Sequence, residues 1–336
     1  MNLMEHKGNV LIPVIAYGDA AGLPVETRTA EYIQQKHGTI DSLLLSNENP
    51  FFGGVYEPGM WSDDTQLTMA VAKALIEANE FNMDAMAESH IVAYNGTEEI
   101  LRKGRMVKRG WGGSTIDAME KLKQGISPAE SGTLNGPGNG VLMKMAPLAY
   151  WQAARENSDE ERHFQYDALT NMTHDSAITR LATRVHGDVL KHLIEYGYDK
   201  ADFLDALRTA VAKHEAAIGA GSEVSTLLSY LPDMKHRNDI FKGTDAKGFY
   251  APQTLAMAYG AFMLNEARFT DSVYEAVNLG GDTDSTGSIV AAMSALASRE
   301  IVRIPIDHQQ IYQLQLLKRT SRQLAKKALG SVKAAR

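Results

Sequence analysis

The stretch Asn278-Leu-Gly-Gly-Asp-Thr-Asp-Ser-Thr-Gly287 places strong local constraints on how this chain folds. Two glycines lead into Asp282 and Asp284, and each aspartate is followed by a hydroxyl residue. An apolar segment with helical periodicity begins directly afterwards, so the pattern predicts a helix start. Aspartate, serine and threonine at such a position can cap free backbone N–H groups and interact favourably with the helix dipole.

A second stretch, Trp61-Ser-Asp-Asp-Thr-Gln66, has the same chemistry and also precedes a helical run. One such stretch is typical of capping alone, but two acidic residues at each of two helix starts exceed what capping requires. If the fold brings the two stretches together, four carboxylates share one site. Their mutual repulsion would be severe without cations, so the sequence predicts a site that requires them.

Composition excludes several classes of function. The chain has 336 residues, a net charge of −7 and no cysteine. The acidic balance argues against a nucleic-acid-binding surface, and the lack of cysteine excludes disulfides, thiolate catalysis and zinc–sulfur sites. We see no signal-peptide pattern and no unbroken apolar run of about 18 residues. We therefore expect no membrane span and a cytoplasmic location.

Helix-favouring residues dominate long segments, and β-branched runs are short. The motifs are spread over most of the chain without a convincing linker. We therefore predict one compact all-α domain over residues 1–325, followed by a basic tail over residues 326–336.

Residues 38–60 are rich in turn residues and are predicted to form a long functional loop. Residues 84–108 are predicted to be helical, with a basic patch at their end that is either a solvated face or an anion contact.

The first apolar segment flows into Gly18-Asp-Ala-Ala-Gly22-Leu-Pro-Val-Glu26. Glycines four residues apart on a helix allow another backbone to approach closely, and helix–helix contact alone is one explanation for them. Glu26 follows Pro24, where the helix should end. We therefore expect Glu26 at the edge of the segment that packs against Gly18 and Gly22.

Two other segments are candidates for ligand contact. A glycine-rich loop, Asn135-Gly-Pro-Gly-Asn-Gly140, runs into a helix and can offer backbone N–H groups to phosphate, although it matches neither common nucleotide-binding pattern. The stretch from Thr173 to Ser176 is predicted to begin a helix. His174 there either belongs to an exposed capping segment or is a neutral imidazole that reaches a phosphate or a metal.

Taken together, these motifs resemble the ADP-ribosylglycohydrolase family. The resemblance rests on five elements in order: Gly18-Asp-x-x-Gly22-x-x-x-Glu26, Ser62-Asp-Asp-Thr65, Gly138-Asn-Gly-x-x-Met-Lys144-x-x-Pro-Leu148, Thr173-His174, and Asn278-x-Gly-Gly-Asp-Thr-Asp-Ser285. It implies an all-α, single compact orthogonal helical domain with a di-metal cleft. The last element is the most specific of the five.

The resemblance also implies roles for individual residues. Two Mg²⁺ or Mn²⁺ ions would be held by six oxygen ligands: Ser62, Asp63, Asp64, Asp282, Asp284 and Ser285. Such ligands suit hard ions rather than zinc. Catalysis would involve Glu26, Asp63, Asp64 and Asp282. The ADP-ribose part of the substrate would contact Gly138, Asn139, Gly140, Lys144, His174 and Phe249.

The implied activity is hydrolysis of the glycosidic bond between ADP-ribose and a modified side chain or a small conjugate, with ADP-ribosyl-arginine favoured by analogy. Two features depart from the family pattern: Lys144 replaces an arginine, and Asp175-Ser176 follows His174. Two alternatives stay open. One is a non-catalytic member that binds ADP-ribose or occludes a partner. The other, suggested by the adjacent His174 and Asp175, is a metal-dependent phosphohydrolase.

Overall fold

The structure is a computed structural model that describes residues 2–49, 57–102, 105–242, 244 and 247–334. Its α-helices are α1 Leu3–Gly22, α2 Ala30–His37, α3 Asp63–Ala78, α4 Met83–Gly96, α5 Gly113–Lys123, α6 Ala146–Ala154, α7 Asp159–Asn171, α8 Ala177–Tyr196, α9 Lys200–Ile218, α10 Glu223–Leu228, α11 Arg237–Ile240, α12 Ala251–Leu264, α13 Phe269–Asn278, α14 Thr283–Ala297 and α15 Leu314–Ala334. Its strands are β1 Glu99–Arg102, β2 Arg105–Lys108, β3 Thr133–Leu134 and β4 His174–Asp175.

Helices α1 and α14 form the centre of the fold, and every residue of α14 is buried. Their backbones touch at glycines. A Cβ atom at Gly18 would lie 2.3 Å from the carbonyl oxygen of Gly287, and one at Gly22 would lie 2.2 Å from that of Thr283. Such distances are too short for any side chain. The prediction that these glycines permit a close backbone approach is confirmed.

The other long helices surround this central pair. Helices α15 and α3 pack on α1, while α13, α12 and α8 pack on α14. The strands form only two two-stranded pairs, β1 with β2 and β3 with β4. The predicted all-α class is therefore confirmed, and the first turns of α3 and α14 both lie against α1.

The segment after α4 differs from the prediction. Helix α4 ends at Gly96, and residues 99–102 pair in an antiparallel register with residues 105–108 instead of continuing the helix. The reason is local, because Gly96 weakens the helix end and Thr97 adopts an extended conformation. Two described basic residues of the predicted patch are paired: Lys108 lies 3.3 Å from Glu99, and Arg109 lies 3.1 Å from Glu98.

Two other segment predictions concern a loop and the C-terminus. The described parts of the predicted loop, 38–49 and 57–60, contain no helix or strand, and residues 50–56 lie outside the described residues. Helix α15 continues past residue 325 to Ala334, and Ala328 is buried. The segment predicted to be a basic tail therefore starts inside a helix. The domain boundary itself stays a prediction.

One described segment, Leu3–Val25, is long and apolar enough to span a membrane by length and composition alone. Within the fold, 89% of its most hydrophobic window is buried inside the protein. It contacts α3, α14 and α15 there. Packing against these helices accounts for its apolar surface.

Candidate active site

The start of α3 is fixed by Asp19, a residue that the sequence reasoning missed. Asp19 lies in α1 and is fully buried. Its carboxylate accepts hydrogen bonds from the backbone N–H of Ser62 at 2.9 Å, from that of Thr65 at 3.0 Å and from the Thr65 hydroxyl at 2.6 Å. A carboxylate inside an apolar helix needs such partners. An aspartate within this apolar segment was the signal that could have revealed it.

Two consecutive glycines fix the start of α14. Gly280 and Gly281 have φ angles of 74° and 77°, a conformation that favours glycine. A Cβ atom at Gly280 would lie 2.6 Å from the Arg28 carbonyl oxygen. Gly281 donates its N–H to the same carbonyl at 2.7 Å. Asp282 then takes the N-cap position of α14, as the motif predicts.

These constraints bring the two acidic helix starts together beside Glu26. Carboxylate oxygens of Glu26, Asp282 and Asp284 lie within 4.8 Å of one another. The Glu26 carboxylate accepts a hydrogen bond from the Asn49 amide at 2.5 Å, and Asp282 accepts one from the Asn139 amide at 2.6 Å. Residues that are far apart in the chain thus share one site.

Asp64 connects α3 to α14 through hydroxyl groups. Its Oδ2 accepts hydrogen bonds from the hydroxyls of Ser62 at 3.1 Å and Ser285 at 3.3 Å. Its Oδ1 accepts one from Ser288 at 2.8 Å. Ser288, one turn after Ser285, is a further polar residue that the motif comparison did not single out.

The electrostatics of this cluster are unfavourable without a counter-charge. Burial raises the pKa of Glu26, Asp63, Asp64 and Asp282 well above the usual carboxyl range, and repulsion from Asp284 raises each further. Burial also raises the pKa of Asp284 itself. Among the described residues that line the cleft there is no lysine or arginine. Negative charge is therefore concentrated with no cationic side chain facing it.

This arrangement fits divalent cations. The converging groups are carboxylate and hydroxyl oxygens, the donors that Mg²⁺ and Mn²⁺ prefer. The raised pKa values reflect the electrostatic cost of bringing these carboxylates together, and bound cations would offset that cost. The donor set observed here therefore agrees with the metal requirement predicted from the two motifs.

The acidic cluster forms one side of a cleft of about 340 Å³. Residues 110–115, which lead into the first turn of α5, and the Gly138–Gly140 loop line it further, together with His174 and Phe249. Gly138 forms a β-bridge with Tyr250, which holds the two loops together. Phe249 is 41% exposed. The glycine loop, His174 and Phe249 thus share the cleft with the carboxylates.

Lys144 does not line this cleft. It is fully buried, and its amine donates a hydrogen bond at 3.4 Å to the hydroxyl of Thr173, next to His174. The expected direct contact with a substrate phosphate does not fit this position and has to be corrected. Packing of the segment 142–144 against α3 and α14 directs this side chain to the interior.

The surroundings of His174 also differ from the prediction. Helix α8 begins at Ala177 with Ser176 as its N-cap, whereas His174 lies in β4. Asp175 forms an ion pair with Arg180 at 2.8 Å and does not line the cleft. Because the two residues do not act on one site, the basis for the phosphohydrolase alternative is removed.

Comparison with known proteins gives a consistent result. The family model described as ADP-ribosylglycohydrolase matches residues 15–331. An uncharacterised protein of Archaeoglobus fulgidus is 25% identical over 295 residues, which cover 86% of this chain and 87% of that protein. The ADP-ribosylarginine hydrolase Tri1 of Serratia proteamaculans is 25% identical over 284 residues, covering 83% of this chain and 69% of Tri1.

A solved structure described as an ADP-ribosylglycohydrolase-related protein complex has the same fold. Its TM-score is 0.74 at 20% identity, and the match covers 97% of this chain and 99% of that one. The family match extends over both acidic helix starts, the glycine loop and His174. This chain belongs to the ADP-ribosylglycohydrolase family.

Proposed function

We propose that this protein is a divalent-cation-dependent hydrolase that releases ADP-ribose from a modified side chain. The observation that carries the proposal is the cleft itself, where the described lining includes five carboxylates and no lysine or arginine. Family membership supports a glycohydrolase of ADP-ribosyl substrates. The bond cleaved would join C1 of the distal ribose to a nitrogen or oxygen of the leaving group.

The residues that would hold two Mg²⁺ or Mn²⁺ ions are the two helix-start sets, Ser62, Asp63, Asp64, Asp282, Asp284 and Ser285. When bound, such ions supply positive charge that can orient sugar hydroxyls and polarise them. The protein holds these ligand residues in place before the ions bind. Asp19 fixes the backbone of α3, and Gly280 and Gly281 fix that of α14, so neither set has to reorganise on binding.

In the proposed mechanism, Glu26 is the general base. The Asn49 amide binds its Oε2, which orients the carboxylate and leaves Oε1 to accept a proton. In the proposed reaction a water oxygen forms the new bond to C1 as the bond from C1 to the leaving group breaks. Glu26 takes the proton of the water and can return it to the leaving nitrogen or oxygen.

We propose ADP-ribosyl-arginine as the substrate. Two divalent cations would neutralise four of the five lining carboxylates, and the remaining negative charge favours a cationic guanidinium leaving group over a neutral hydroxyl. The name of the relative Tri1, an ADP-ribosylarginine hydrolase, points in the same direction at 25% identity. The carrier of the arginine would be a protein or a small conjugate.

The test is release of ADP-ribose from arginine-linked and serine-linked substrates with Mg²⁺, with Mn²⁺ and with EDTA. We expect metal-dependent release from the arginine-linked substrate. Asp175→Asn is a matched control, because Asp175 is adjacent to His174 in sequence but is paired with Arg180 outside the cleft. It should retain activity, whereas Asp282→Asn should not.

Other results would change the proposal in defined ways. Metal-dependent release from the serine-linked substrate alone would keep the hydrolase and correct the linkage. Binding of ADP-ribose without release from either substrate would favour the non-catalytic alternative. Equal release with and without EDTA would contradict the metal requirement.

A further inference from the structure

Behind the cleft wall, three side chains form a connected chain of hydrogen-bonding groups. Lys144 donates to the hydroxyl of Thr173 at 3.4 Å, and that oxygen lies 2.8 Å from Nδ1 of His174. Lys144 and Thr173 are both fully buried, and His174 is 3% exposed. Neither Lys144 nor Thr173 lines the cleft, and their hydrogen-bonding connection to it runs through His174.

The donor and acceptor inventory gives this chain a direction. The protonated ammonium group of lysine has three donors and no lone pair, so while Lys144 is charged the Thr173 oxygen accepts from it. The hydroxyl hydrogen is then free to be donated, and Nδ1 of His174 lies at hydrogen-bonding distance from it. If Nδ1 carried the proton instead, neither of the described contacts of the Thr173 hydroxyl, protonated Lys144 and His174, could accept its hydrogen. The favoured arrangement therefore leaves Nδ1 unprotonated.

The other ring nitrogen faces the glycine loop. A Cβ atom at Gly138 would lie 3.4 Å from Nε2, and one at Gly140 would lie 3.4 Å from Nε2 and 3.0 Å from Cε1. Glycine at both positions keeps the space in front of the ring open. The imidazole edge that carries Nε2 is thus the edge presented to the cleft.

The charge state of the ring agrees with this arrangement. Burial lowers the pKa of His174 to about 3, and the positive charge of Lys144 lowers it further. Burial also lowers the pKa of Lys144 to about 7, although the charge of Asp63 opposes that shift. The amine keeps N–H donors in either protonation state. His174 is therefore neutral at neutral pH and carries one proton, on one nitrogen.

We infer that Thr173, held by the buried Lys144, is a positioning residue that fixes His174 as the neutral tautomer protonated on Nε2, which directs an N–H donor into the cleft. A donor beside the glycine loop suits an anionic oxygen, such as a phosphate oxygen of ADP-ribose. This second part rests on the proposed function, whereas the tautomer does not. The inference assigns Lys144 a role other than direct contact with substrate.

The first test is the tautomer in the free protein. Long-range ¹H–¹⁵N correlation spectra of ¹⁵N-histidine-labelled protein distinguish protonated from unprotonated ring nitrogens, and His174→Gln identifies the His174 signals among the 10 histidines. We expect Nε2–H in the wild type. Thr173→Val removes the hydroxyl at nearly constant shape and should produce a mixture of tautomers, whereas Thr173→Ser should restore the wild-type pattern. Lys144→Met should shift the signals toward those of Thr173→Val.

The second test is ADP-ribose binding by calorimetry with Mn²⁺ present. We expect Thr173→Val to weaken binding in proportion to the lost Nε2–H population, by about twofold for an equal mixture of tautomers, and Thr173→Ser to bind like the wild type. An Nδ1–H tautomer in the wild type would overturn the inference. So would an unchanged tautomer in Thr173→Val, or equal losses of affinity in Thr173→Val and Thr173→Ser.

The two tests separate the inference from the proposed function. If the wild type bound no ADP-ribose, the proposed function would fail. The spectra of the free protein would still decide whether Thr173 sets the tautomer, because they require neither metal nor substrate.

Discussion

Among the residues that the structure describes, two groups of side chains have the spacing of a metal site. One is the cleft group of Glu26, Asp282 and Asp284. The other is Asp188 with His163 and His214, and in each group the potential ligand atoms lie within 4.8 Å of one another. Two histidines and a carboxylate are a common metal-ligand set, so spacing alone would favour the second group at least as much as the first.

The two groups differ in the charges around them. Asp188 on α8 contacts the rings of His163 on α7 at 2.9 Å and His214 on α9 at 2.8 Å. The Arg162 guanidinium also donates to it at 2.9 Å, and the Lys213 amine lies 4.0 Å away. Burial would raise the pKa of Asp188, but the hydrogen bonds from both imidazoles and the charge of Arg162 outweigh burial and lower it.

The comparison shows that counter-charge, rather than spacing, identifies the cation site. The Asp188 carboxylate already has cationic and hydrogen-bonding partners on the neighbouring helices, and a metal would have to bind beside Arg162 and Lys213. We interpret this group as a structural network of ion pairs and hydrogen bonds that connects α7, α8 and α9. The cleft carboxylates accept hydrogen bonds from amides and hydroxyls, but among the described residues that line the cleft they have no cationic partner, so they require an external cation.

The largest expected effect is on catalysis. Asp284→Asn should reduce kcat/KM by roughly 10²- to 10³-fold or more, because the charge of Asp284 acts on every other carboxylate of the cleft. Circular dichroism should show that the variant is folded. Activity close to that of the wild type would contradict the assignment of the cleft.

The next effect is on stability and concerns the other group. Asp188→Asn should lower the free energy of unfolding by about 2–3 kcal/mol, because it removes one charged partner of the buried Arg162, which keeps its ion pair with Asp159 at 2.8 Å. Urea unfolding measures this change. Asp175→Asn, which removes an exposed ion pair, should cost less than about 1 kcal/mol. Both variants should keep their activity at temperatures where they are folded.

A smaller effect should follow from metal binding. Mn²⁺ at 100 times its dissociation constant should stabilise the wild type by about 2.7 kcal/mol relative to EDTA. Asp188→Asn should be stabilised by the same amount, and Asp284→Asn by less. Thermal unfolding with and without Mn²⁺ checks this. If Asp188→Asn lost the stabilisation while Asp284→Asn kept it, the metal site would have to be assigned to the Asp188 group instead of the cleft.

The smallest effect concerns pH in the absence of metal. Burial raises the pKa of Asp284, and it raises that of Asp19 to about 7. The folded state therefore binds more protons than the unfolded state, and the stability from these groups is lost as the pH rises from about 4 to 7. In EDTA, the free energy of unfolding of Asp284→Asn should rise relative to that of the wild type across this range. Mn²⁺ should remove the trend.

The contribution of Asp188 to stability depends on pH in the opposite direction. Its pKa is lowered by its partners, so its contribution to stability is present above the unfolded value and is lost only as the pH falls below it. The unfolding free energy of wild type and Asp284→Asn, measured in urea from pH 5 to pH 8, isolates the cleft from this contribution. A difference that shrank with rising pH would contradict the proposed repulsion.

Much of the site was determined by local sequence. Ser62 and Asp282 are helix caps, and the glycines before Asp282 impose the turn that precedes it, so these features depend on only a few neighbouring residues. The same local rules predicted the all-α class from helix-favouring composition. They failed after Gly96, where the end of a helix and a hairpin compete over a short segment.

The tertiary structure alone decided how the charges are partnered. Asp19 supports α3 from another helix, Lys144 lies behind His174 instead of in the cleft, and Asp188 is satisfied by two neighbouring helices. Nothing in the spacing of these residues reveals such partners. The energy of a buried charge depends on the groups packed around it, and those groups come from distant parts of the chain. The sequence therefore determined which carboxylates start the helices, and the packing decided which of them lack a counter-charge.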